Sequence, residues 1–197
     1  MATAPKKRVG VLALQGDFNA HAKALERAGA EAVEVRGAED LKSIDGLVIP
    51  GGESTTMLKL LNFMNLMEPL REFVREKPVF GTCAGAILLA KDVRNPVQDS
   101  FGAIDLTVER NAYGRQIDSR VAQIKPEAEF QERAGGGDVE AVFIRAPIIR
   151  RTGPGVRVLA EYEGDPVLVE QGRHLVATFH PELTLDSRVH RLFLNKI

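Results

Sequence analysis

The segment Gly81-Thr82-Cys83-Ala84-Gly85 places the only cysteine of the chain in a turn flanked by glycines. A short apolar run, Pro78 to Phe80, precedes it, and an apolar run with helical character, Ala86 to Ala90, follows it. Strand, glycine turn and helix in this order are typical of a nucleophile elbow, here with cysteine in place of serine. The glycines fit because the backbone of such a turn is crowded. The segment predicts a sulfur at the top of a sheet, beside a helix N-terminus whose dipole favours the reactive thiolate.

Apolar runs and helical patterns alternate over the first half of the chain. Val9 to Leu14 is a continuous apolar run, which is typical of a strand buried on both faces of a parallel sheet. We predict helices at 19–28, 54–63 and 69–75, and strands at 32–35 and 46–50. In the second half we predict strands at 104–109, 116–124 and within 142–179, a surface loop at 135–137 and a last helix at 187–195. The pattern predicts an α/β fold with a mixed, mostly parallel sheet flanked by helices.

Length and composition indicate one soluble domain. The chain has 197 residues, and we expect a single domain over 1–197 with a flexible extension at 1–8. The formal net charge is −1, which argues against nucleic acid or an anionic membrane as the main partner. A single cysteine cannot form an internal disulfide, and the first apolar run is too short for a signal peptide or a membrane span. We therefore expect a cytoplasmic protein.

A cysteine nucleophile needs a base, and His180 is the best candidate among four histidines. It ends the apolar run Leu175 to Phe179 and is followed by Pro181 and Glu182. In an extended chain, residues two apart point the same way, so Glu182 can orient the imidazole. A histidine at a strand end can also simply contact solvent, but a cysteine elbow favours catalysis. We expect the remaining histidines to lie at the surface: His21, His174 and His190.

The oxyanion formed by attack on a carbonyl would be bound by backbone N–H groups. Ala84, directly after the cysteine, supplies one of them. A second is expected from the loop Gly51-Gly52-Glu53-Ser54, where glycine lets the backbone approach a ligand closely. The simpler interpretation is a turn in which Ser54 caps the next helix, and both interpretations can hold together.

Three segments carry a resemblance to a known family: Pro50 to Thr56, Phe80 to Gly85 and Phe179 to Thr184. They resemble the signatures of class I glutamine amidotransferases, which have a flavodoxin-like sheet. Two more segments, Val108 to Gln116 and Val142 to Pro147, together with Leu14-Gln-Gly-Asp17, narrow the match. The set is similar to the glutaminase subunits of pyridoxal 5′-phosphate synthases, over nearly the whole chain.

The resemblance implies that the chain hydrolyses L-glutamine to glutamate and ammonia. It assigns Cys83 as nucleophile, His180 as base and Glu182 as the residue that orients it. The oxyanion would be bound by the N–H groups of Gly52 and Ala84. The residues that the resemblance assigns to glutamine binding are Gly52, Glu53, Ser54, Arg110, Ile144 and Arg145.

The resemblance also implies a partner, because free ammonia is lost unless it is passed on. The partner would be the (β/α)₈ synthase subunit that builds pyridoxal 5′-phosphate, in a large hetero-oligomer. The chain itself would need no cofactor, and no cluster has metal-ligand spacing. Two alternatives stay open: a glutaminase serving another synthase, such as imidazole glycerol phosphate synthase, or a non-catalytic, thiol-sensing or binding protein on the same scaffold.

Overall fold

The computed structural model describes residues 5–111 and 119–197. Within these residues the chain forms twelve strands and six α-helices. The strands are β1 (Arg8–Leu12), β2 (Glu31–Val35), β3 (Gly46–Ile49), β4 (Val79–Thr82), β5 (Ala90–Arg94), β6 (Ile104–Glu109), β7 (Ser119–Ile124), β8 (Val139–Ile144), β9 (Ile148–Thr152), β10 (Arg157–Tyr162), β11 (Asp165–Gln171) and β12 (His174–Ala177). The α-helices are α1 (Phe18–Arg27), α2 (Ser54–Phe63), α3 (Met67–Glu76), α4 (Ala84–Leu89), α5 (Ala128–Ala134) and α6 (Arg188–Leu194).

The central sheet has seven strands in the order β10-β11-β12-β4-β3-β1-β2. The strands from β12 to β2 pair in parallel, and β10 and β11 add an antiparallel edge. The order β2-β1-β3-β4-β12 winds outward from β1 in both directions, as in doubly wound folds. In such sheets ligands bind beyond the carboxyl ends of the strands, which is where β4 delivers Cys83.

Helices cover both faces of the sheet. Buried side chains of α2, α3 and α4 pack together on one face. Those of α1, α5 and α6 pack on the other, where Phe80 of β4 contacts Phe193 of α6. Both faces of the parallel strands are therefore buried, which explains their continuous apolar sequences. The predicted mixed, mostly parallel α/β sheet is confirmed.

Several element boundaries differ from the sequence predictions. The helix after the elbow begins at Ala84 and ends at Leu89, and Ala90 opens strand β5 instead of closing the helix. Helix α5 was not predicted, because its seven residues carry only one buried side chain, Phe130. The predicted strand at 116–124 is seen as β7 from Ser119, and its first three residues lie outside the described residues.

The N-terminal extension predicted at 1–8 is only partly described, since residues 1–4 lie outside the described residues. Arg8 already belongs to β1 and forms an ion pair with Glu31 at 3.1 Å. Lys7 Nζ donates a hydrogen bond to the carbonyl of Leu194 at 2.6 Å. Lys7 and Arg8 therefore both contact the domain, and Arg8 belongs to its first strand.

Two glycines of the elbow are required by close packing. A Cβ at Gly81 would lie 2.5 Å from the carbonyl oxygen of Gly85, and one at Gly85 would overlap the carbonyl oxygen of Ile49 in the neighbouring strand. Both obstacles are backbone atoms, one of helix α4 and one of strand β3, which cannot move without disturbing those elements. The predicted crowding of the turn is confirmed.

Gly85→Ala should consequently destabilise the protein. We expect the free energy of unfolding to fall by about 2–3 kcal/mol, since the added methyl overlaps fixed backbone. Urea unfolding monitored by circular dichroism measures the change. Gly136→Ala is the matched control, because the nearest atom to a Cβ there is 3.9 Å away, and it should change stability by less than about 0.5 kcal/mol. Equal stability of the two variants would contradict this interpretation of the elbow.

Candidate active site

Cys83 occupies the turn between β4 and α4. Its φ is 48° and its ψ is −102°, a strained combination for a residue with a side chain. The backbone N–H of Cys83 donates to the carbonyl of Ala177 in β12 at 2.9 Å, which holds the turn against the adjacent strand. The residue is 6% exposed and borders a cavity. The strand–turn–helix geometry predicted for the elbow is confirmed.

His180 and Glu182 lie together beside the cysteine. His180 Nδ1 is 2.7 Å from Oε1 of Glu182, and both side chains are buried. The backbone N–H of His180 donates to the carbonyl of Val142 at 2.8 Å, which ties the residue to β8. Pro181 to Leu183 form a 3₁₀ turn, so the two side chains meet through a turn and not through the extended chain that the sequence suggested.

Gly51 brings the cysteine and the histidine together. A Cβ at this position would overlap Cε1 of His180 and would lie 3.3 Å from Cβ of Cys83. Because Gly51 has no side chain, the imidazole can lie over its backbone and face the sulfur. His180 therefore lies beside Cys83 on one side and contacts Glu182 on the other.

The electrostatic surroundings favour the protonated imidazole. Burial alone lowers the pKa of His180, but the hydrogen bonds and negative charges of Cys83 and Glu182 outweigh it and raise the pKa to about 10. A raised pKa at a residue in a cleft is typical of functional sites. The arrangement can hold a proton next to a nucleophilic sulfur and deliver it to a leaving group.

The loop after β3 caps helix α2 through Glu53 and not through Ser54, the cap that the sequence suggested. The carboxylate of Glu53 accepts hydrogen bonds from the N–H groups of Thr55 at 3.1 Å and Thr56 at 2.6 Å. Partial burial raises the pKa of Glu53, but a hydrogen bond from the hydroxyl of Thr56 at 2.7 Å, together with the bonds from Thr55 and the backbone, outweighs it and lowers the pKa to about 2. Ser54 is buried, and its hydroxyl donates to Oε1 of Gln98 at 2.9 Å.

Gly52 has a φ of 145°, a backbone conformation that favours glycine. Gln15 lies beside it, and its Nε2 donates to the carbonyl of Glu53 at 2.6 Å. Gln15 therefore helps to fix the course of the loop next to Cys83. No role was predicted for Gln15 from the sequence, although it belongs to one of the segments that carried the resemblance.

A cavity of about 290 Å³ opens in front of the sulfur. Small-metabolite sites have volumes near this value. The six residues expected to bind substrate all line it together with Cys83 and His180: Gly52, Glu53, Ser54, Arg110, Ile144 and Arg145. Four further lining residues had no role predicted from the sequence: Gly16, Asp17, Ile87 and Asn111.

Two arginines give the cavity positive charge. Arg110 donates to Oγ1 of Thr55 at 2.7 Å and to Oε1 of Glu53 at 3.2 Å, which holds its guanidinium over the loop. Arg145 is exposed and has a φ of 45°, an uncommon value for a residue with a side chain. A carboxylate ligand is the natural partner of such a pair, because a guanidinium can bind it through two hydrogen bonds.

The expectation that His21, His174 and His190 lie at the surface is wrong. His21 and His190 are 0% exposed and His174 is 8% exposed. Charged neighbours suggested exposure for His21 and His190, and the preceding turn suggested it for His174, which instead begins the buried strand β12. The helical spacing was the missed signal: Leu25 and Leu194 follow His21 and His190 by four residues, and both leucines are buried.

The comparisons with known proteins agree with the geometry. A model described as the SNO glutamine amidotransferase family matches residues 11–197. The chain belongs to the SNO glutamine amidotransferase family. This confirms the resemblance that the motifs indicated.

Relatives that match this chain over nearly its full length carry more specific names than the family model. A protein of Solibacter usitatus named "Pyridoxal 5′-phosphate synthase subunit PdxT" is 67% identical over 191 residues, covering 97% of this chain and all of the relative. A protein of the same name from Koribacter versatilis is 58% identical and covers 96% of this chain and 95% of the relative. A solved structure described as a glutamine amidotransferase has a TM-score of 0.85 at 49% identity, covering 95% of this chain and 97% of that one.

More distant structures share the fold alone. A chain from the structure of PurLQS of Thermotoga maritima has a TM-score of 0.70 at 17% identity, covering 97% of this chain and 99% of that one. Part of one segment used for the resemblance, residues 112–118, lies outside the described residues. Among the described residues, no helix is long and apolar enough to cross a membrane, and no group of acidic, histidine and cysteine side chains could hold a metal ion.

The buried histidines of this family member should make its fold sensitive to acid. Burial lowers the pKa of His190 to about 3 and that of His174 to about 4, and it lowers the pKa of His21 well below the ordinary 6.5. The unfolded chain protonates these side chains near pH 6.5, so it binds more protons than the folded state below that pH. Stability therefore falls as the pH drops. His180 offsets little here, because its raised pKa keeps it protonated in the folded state and it is mostly protonated in the unfolded chain below pH 6.

We expect the free energy of unfolding to fall by roughly 3 kcal/mol between pH 6 and pH 5, at about 1 kcal/mol for each of the three histidines. Urea unfolding at a series of pH values measures this slope. His174→Gln removes one of the three groups and should reduce the fall by about a third. A slope that is the same in the variant would contradict the assignment of neutral buried histidines.

Proposed function

We propose that this protein is the glutaminase subunit of a pyridoxal 5′-phosphate synthase and hydrolyses L-glutamine to glutamate and ammonia. One observation carries the proposal: His180 lies between Cys83 and the buried Glu182, at the edge of a cavity, in a chain of the glutamine amidotransferase family. A cysteine, a histidine and a carboxylate in this relation are the components of nucleophilic acyl transfer.

The first half of the reaction forms a thioester. Cys83 Sγ attacks the side-chain amide carbon of glutamine, while His180 holds the proton that the thiol has given up. Collapse of the tetrahedral intermediate breaks the C–N bond, and His180 protonates the departing nitrogen so that it leaves as ammonia. Glu182 accepts the Nδ1–H of His180, which places the transferable proton on the side of the sulfur.

The oxyanion of the intermediate is bound by the N–H groups of Ala84 and Gly52. Ala84 begins helix α4 directly after the nucleophile, so its N–H is one of the unpaired donors of that helix. Loss of one such donor typically costs about 3–4 kcal/mol of transition-state stabilisation. At the other end of the substrate, Arg110 and Arg145 bind the α-carboxylate, and Glu53, Ser54 and Ile144 complete the lining.

The second half of the reaction hydrolyses the thioester. The negative charge of Cys83 contributes to the raised pKa of His180, and that charge is absent once the sulfur is acylated. The pKa of His180 therefore falls in the acyl-enzyme, and the imidazole becomes able to take a proton from water. The hydroxide equivalent attacks the carbonyl carbon, glutamate leaves, and the proton returns to the sulfur. One histidine thus serves as acid in the first half and base in the second.

The ammonia passes to a synthase subunit that makes pyridoxal 5′-phosphate, and the two proteins act in the cytoplasm as a large hetero-oligomer. The names of the Solibacter and Koribacter relatives, both synthase subunits, support this partner. We place the docking surface at the strand-end loops around Cys83, because ammonia is released there. We favour a role in making pyridoxal 5′-phosphate, a form of vitamin B6, over a role with another synthase. The reason is that relatives named as subunits of pyridoxal 5′-phosphate synthase match over the full length.

Transfer of isotopic nitrogen tests the partner directly. Purified protein, a pyridoxal 5′-phosphate synthase subunit, the sugar phosphate substrates and glutamine labelled with ¹⁵N in the side-chain amide are combined. We expect mass spectrometry to find the label in pyridoxal 5′-phosphate, even with excess unlabelled ammonium present. Glutamate release without label in the product would point to a different synthase. Binding of the synthase subunit without any glutamate release would favour a non-catalytic role.

A further inference from the structure

A row of buried side chains continues behind Glu182 into the protein. His21 of α1 places its Nε2 3.3 Å from Oε2 of Glu182 and 3.0 Å from Oγ1 of Thr82. On the other side of the ring, Nδ1 of His21 lies 3.1 Å from Nε2 of His190 in α6. We propose that His21 is a positioning residue, which holds the rear oxygen of Glu182 so that the front oxygen faces His180. The inference deepens the proposed glutaminase function and rests on it.

The rear oxygen of Glu182 depends on this contact. Its front oxygen, Oε1, faces His180 at 2.7 Å. Oε2 is buried and has no well-aligned hydrogen bond to a described residue, so the approach of His21 Nε2 is the polar contact that the structure provides. The His21 N–H lies between Thr82 and Glu182, and such hydrogen bonds often tighten only when substrate binds. An apolar residue at position 21 would leave the carboxylate oxygen unsatisfied and its rotation unopposed.

The proposed role requires one tautomer of each ring. A carboxylate only accepts, so Nε2 of His21 has to be the donor and Nδ1 has to carry the lone pair. That lone pair accepts from Nε2–H of His190, which leaves a lone pair at Nδ1 of His190. This atom has no hydrogen-bond partner among the described residues. Unpaired buried acceptors are better tolerated than unpaired buried N–H groups. The tautomers that allow His21 to donate to Glu182 leave an acceptor, Nδ1 of His190, as the unpaired atom.

Packing holds both rings in place. Phe80 contacts His21 edge to face, with ring centres 6.3 Å apart, and contacts His190 in the same way at 5.7 Å. His21 and His190 are fully buried. Side chains of α1, β4, α6 and the 3₁₀ turn therefore meet at one point, and none of these rings can turn freely. A fixed donor behind a carboxylate is what a positioning role needs.

His21 can act as a donor without adding charge. Burial lowers the pKa of His21, and the positive charge of His180 lowers it further, so His21 stays neutral at physiological pH. The charged groups that act on His190 are Arg27 and Asp186. A neutral donor leaves His180 as the protonated group next to Glu182. The carboxylate keeps its full effect on the histidine that faces the sulfur.

Three variants test the proposal by kinetics in the presence of the synthase subunit. In His21→Leu we expect the kcat of glutamate release to fall about 10- to 100-fold, with KM within about twofold. His21→Gln should restore most of the rate, since its amide nitrogen reaches the position of Nε2. His174→Leu removes another buried histidine, away from the site, and should leave kcat unchanged. A kcat for His21→Leu equal to that of the wild type would overturn the proposal.

A second readout requires no turnover. NMR of protein labelled with ¹³C at histidine Cε1 follows the titration of His180, which we expect to shift down by about one pH unit in His21→Leu and to recover in His21→Gln. An unchanged titration would overturn the proposal, even if the protein releases no glutamate at all. If His21→Leu does not fold, His21→Asn replaces it, because its shorter amide cannot reach Glu182. Equal titration of His180 in the Asn and Gln variants would then overturn it.

Discussion

We expect Cys83→Ala to lower the kcat of glutamate release by at least about 10⁴-fold, as removal of a nucleophile does in other acyl-transfer enzymes. Among the described residues that line the cavity, Ser54 is the only hydroxyl, and it cannot replace the thiol easily because it is buried and donates to Gln98. The residual rate would come from binding and from the oxyanion donors. Steady-state glutamate release with the synthase subunit present measures the effect.

The fold should tolerate this change. Apart from its interaction with His180, the sulfur makes a weak contact with the carbonyl of Ile144 at 3.9 Å, and it borders the cavity, so its loss should cost little stability. Cys83→Ser is the matched control for volume, and it should be nearly as inactive because a hydroxyl is a far weaker nucleophile than a thiolate. Normal thermal unfolding with retained activity in Cys83→Ala would exclude Cys83 as the nucleophile.

Glu182→Gln should lower kcat by about 10³- to 10⁴-fold with little change in KM. The amide keeps the shape of the side chain but can turn its NH₂ group toward Nδ1 of His180, which imposes the wrong tautomer. It also removes the negative charge that helps to raise the pKa of His180. The variant should therefore lose both the correct orientation of His180 and the proton that His180 holds for the leaving group.

The matched control is Glu170→Gln in β11. Glu170 is also a buried carboxylate, and it forms ion pairs with Arg133 and Lys196 at 2.6 and 2.7 Å. Its replacement should lower the free energy of unfolding by about 2–3 kcal/mol but leave kcat unchanged, since these contacts lie outside the cavity. Similar losses of kcat in the two variants would show that the effect at Glu182 is general destabilisation.

The elbow and the buried parallel strands could be predicted because local sequence determines them. Gly81 and Gly85 flank the cysteine for a reason visible in the chain, and the apolar run ending at Leu14 already indicated a buried parallel strand. His180 and Glu182 were predicted as a pair because they are neighbours in sequence. Their turn was not predicted, although Pro181 is favoured at the first position of such a turn.

Contacts between distant segments could not be predicted in this way. His21 is 161 residues from Glu182 in sequence, and only the packing of α1 against the 3₁₀ turn brings them together. The ion pair between Glu53 and Arg110, 57 residues apart in sequence, was likewise not predicted. A sequence pattern can identify functional residues whose partners lie close by in the sequence. It misses residues whose partners come from a distant helix or strand.

Glutamate release from L-glutamine by the purified protein, alone and with the synthase subunit, tests the central claim most directly. We predict release that rises sharply when the subunit is added and that disappears in Cys83→Ala. Release that does not respond to the subunit would retain the glutaminase and reject the partner. No release by a folded protein that demonstrably binds the subunit would contradict the proposed chemistry itself.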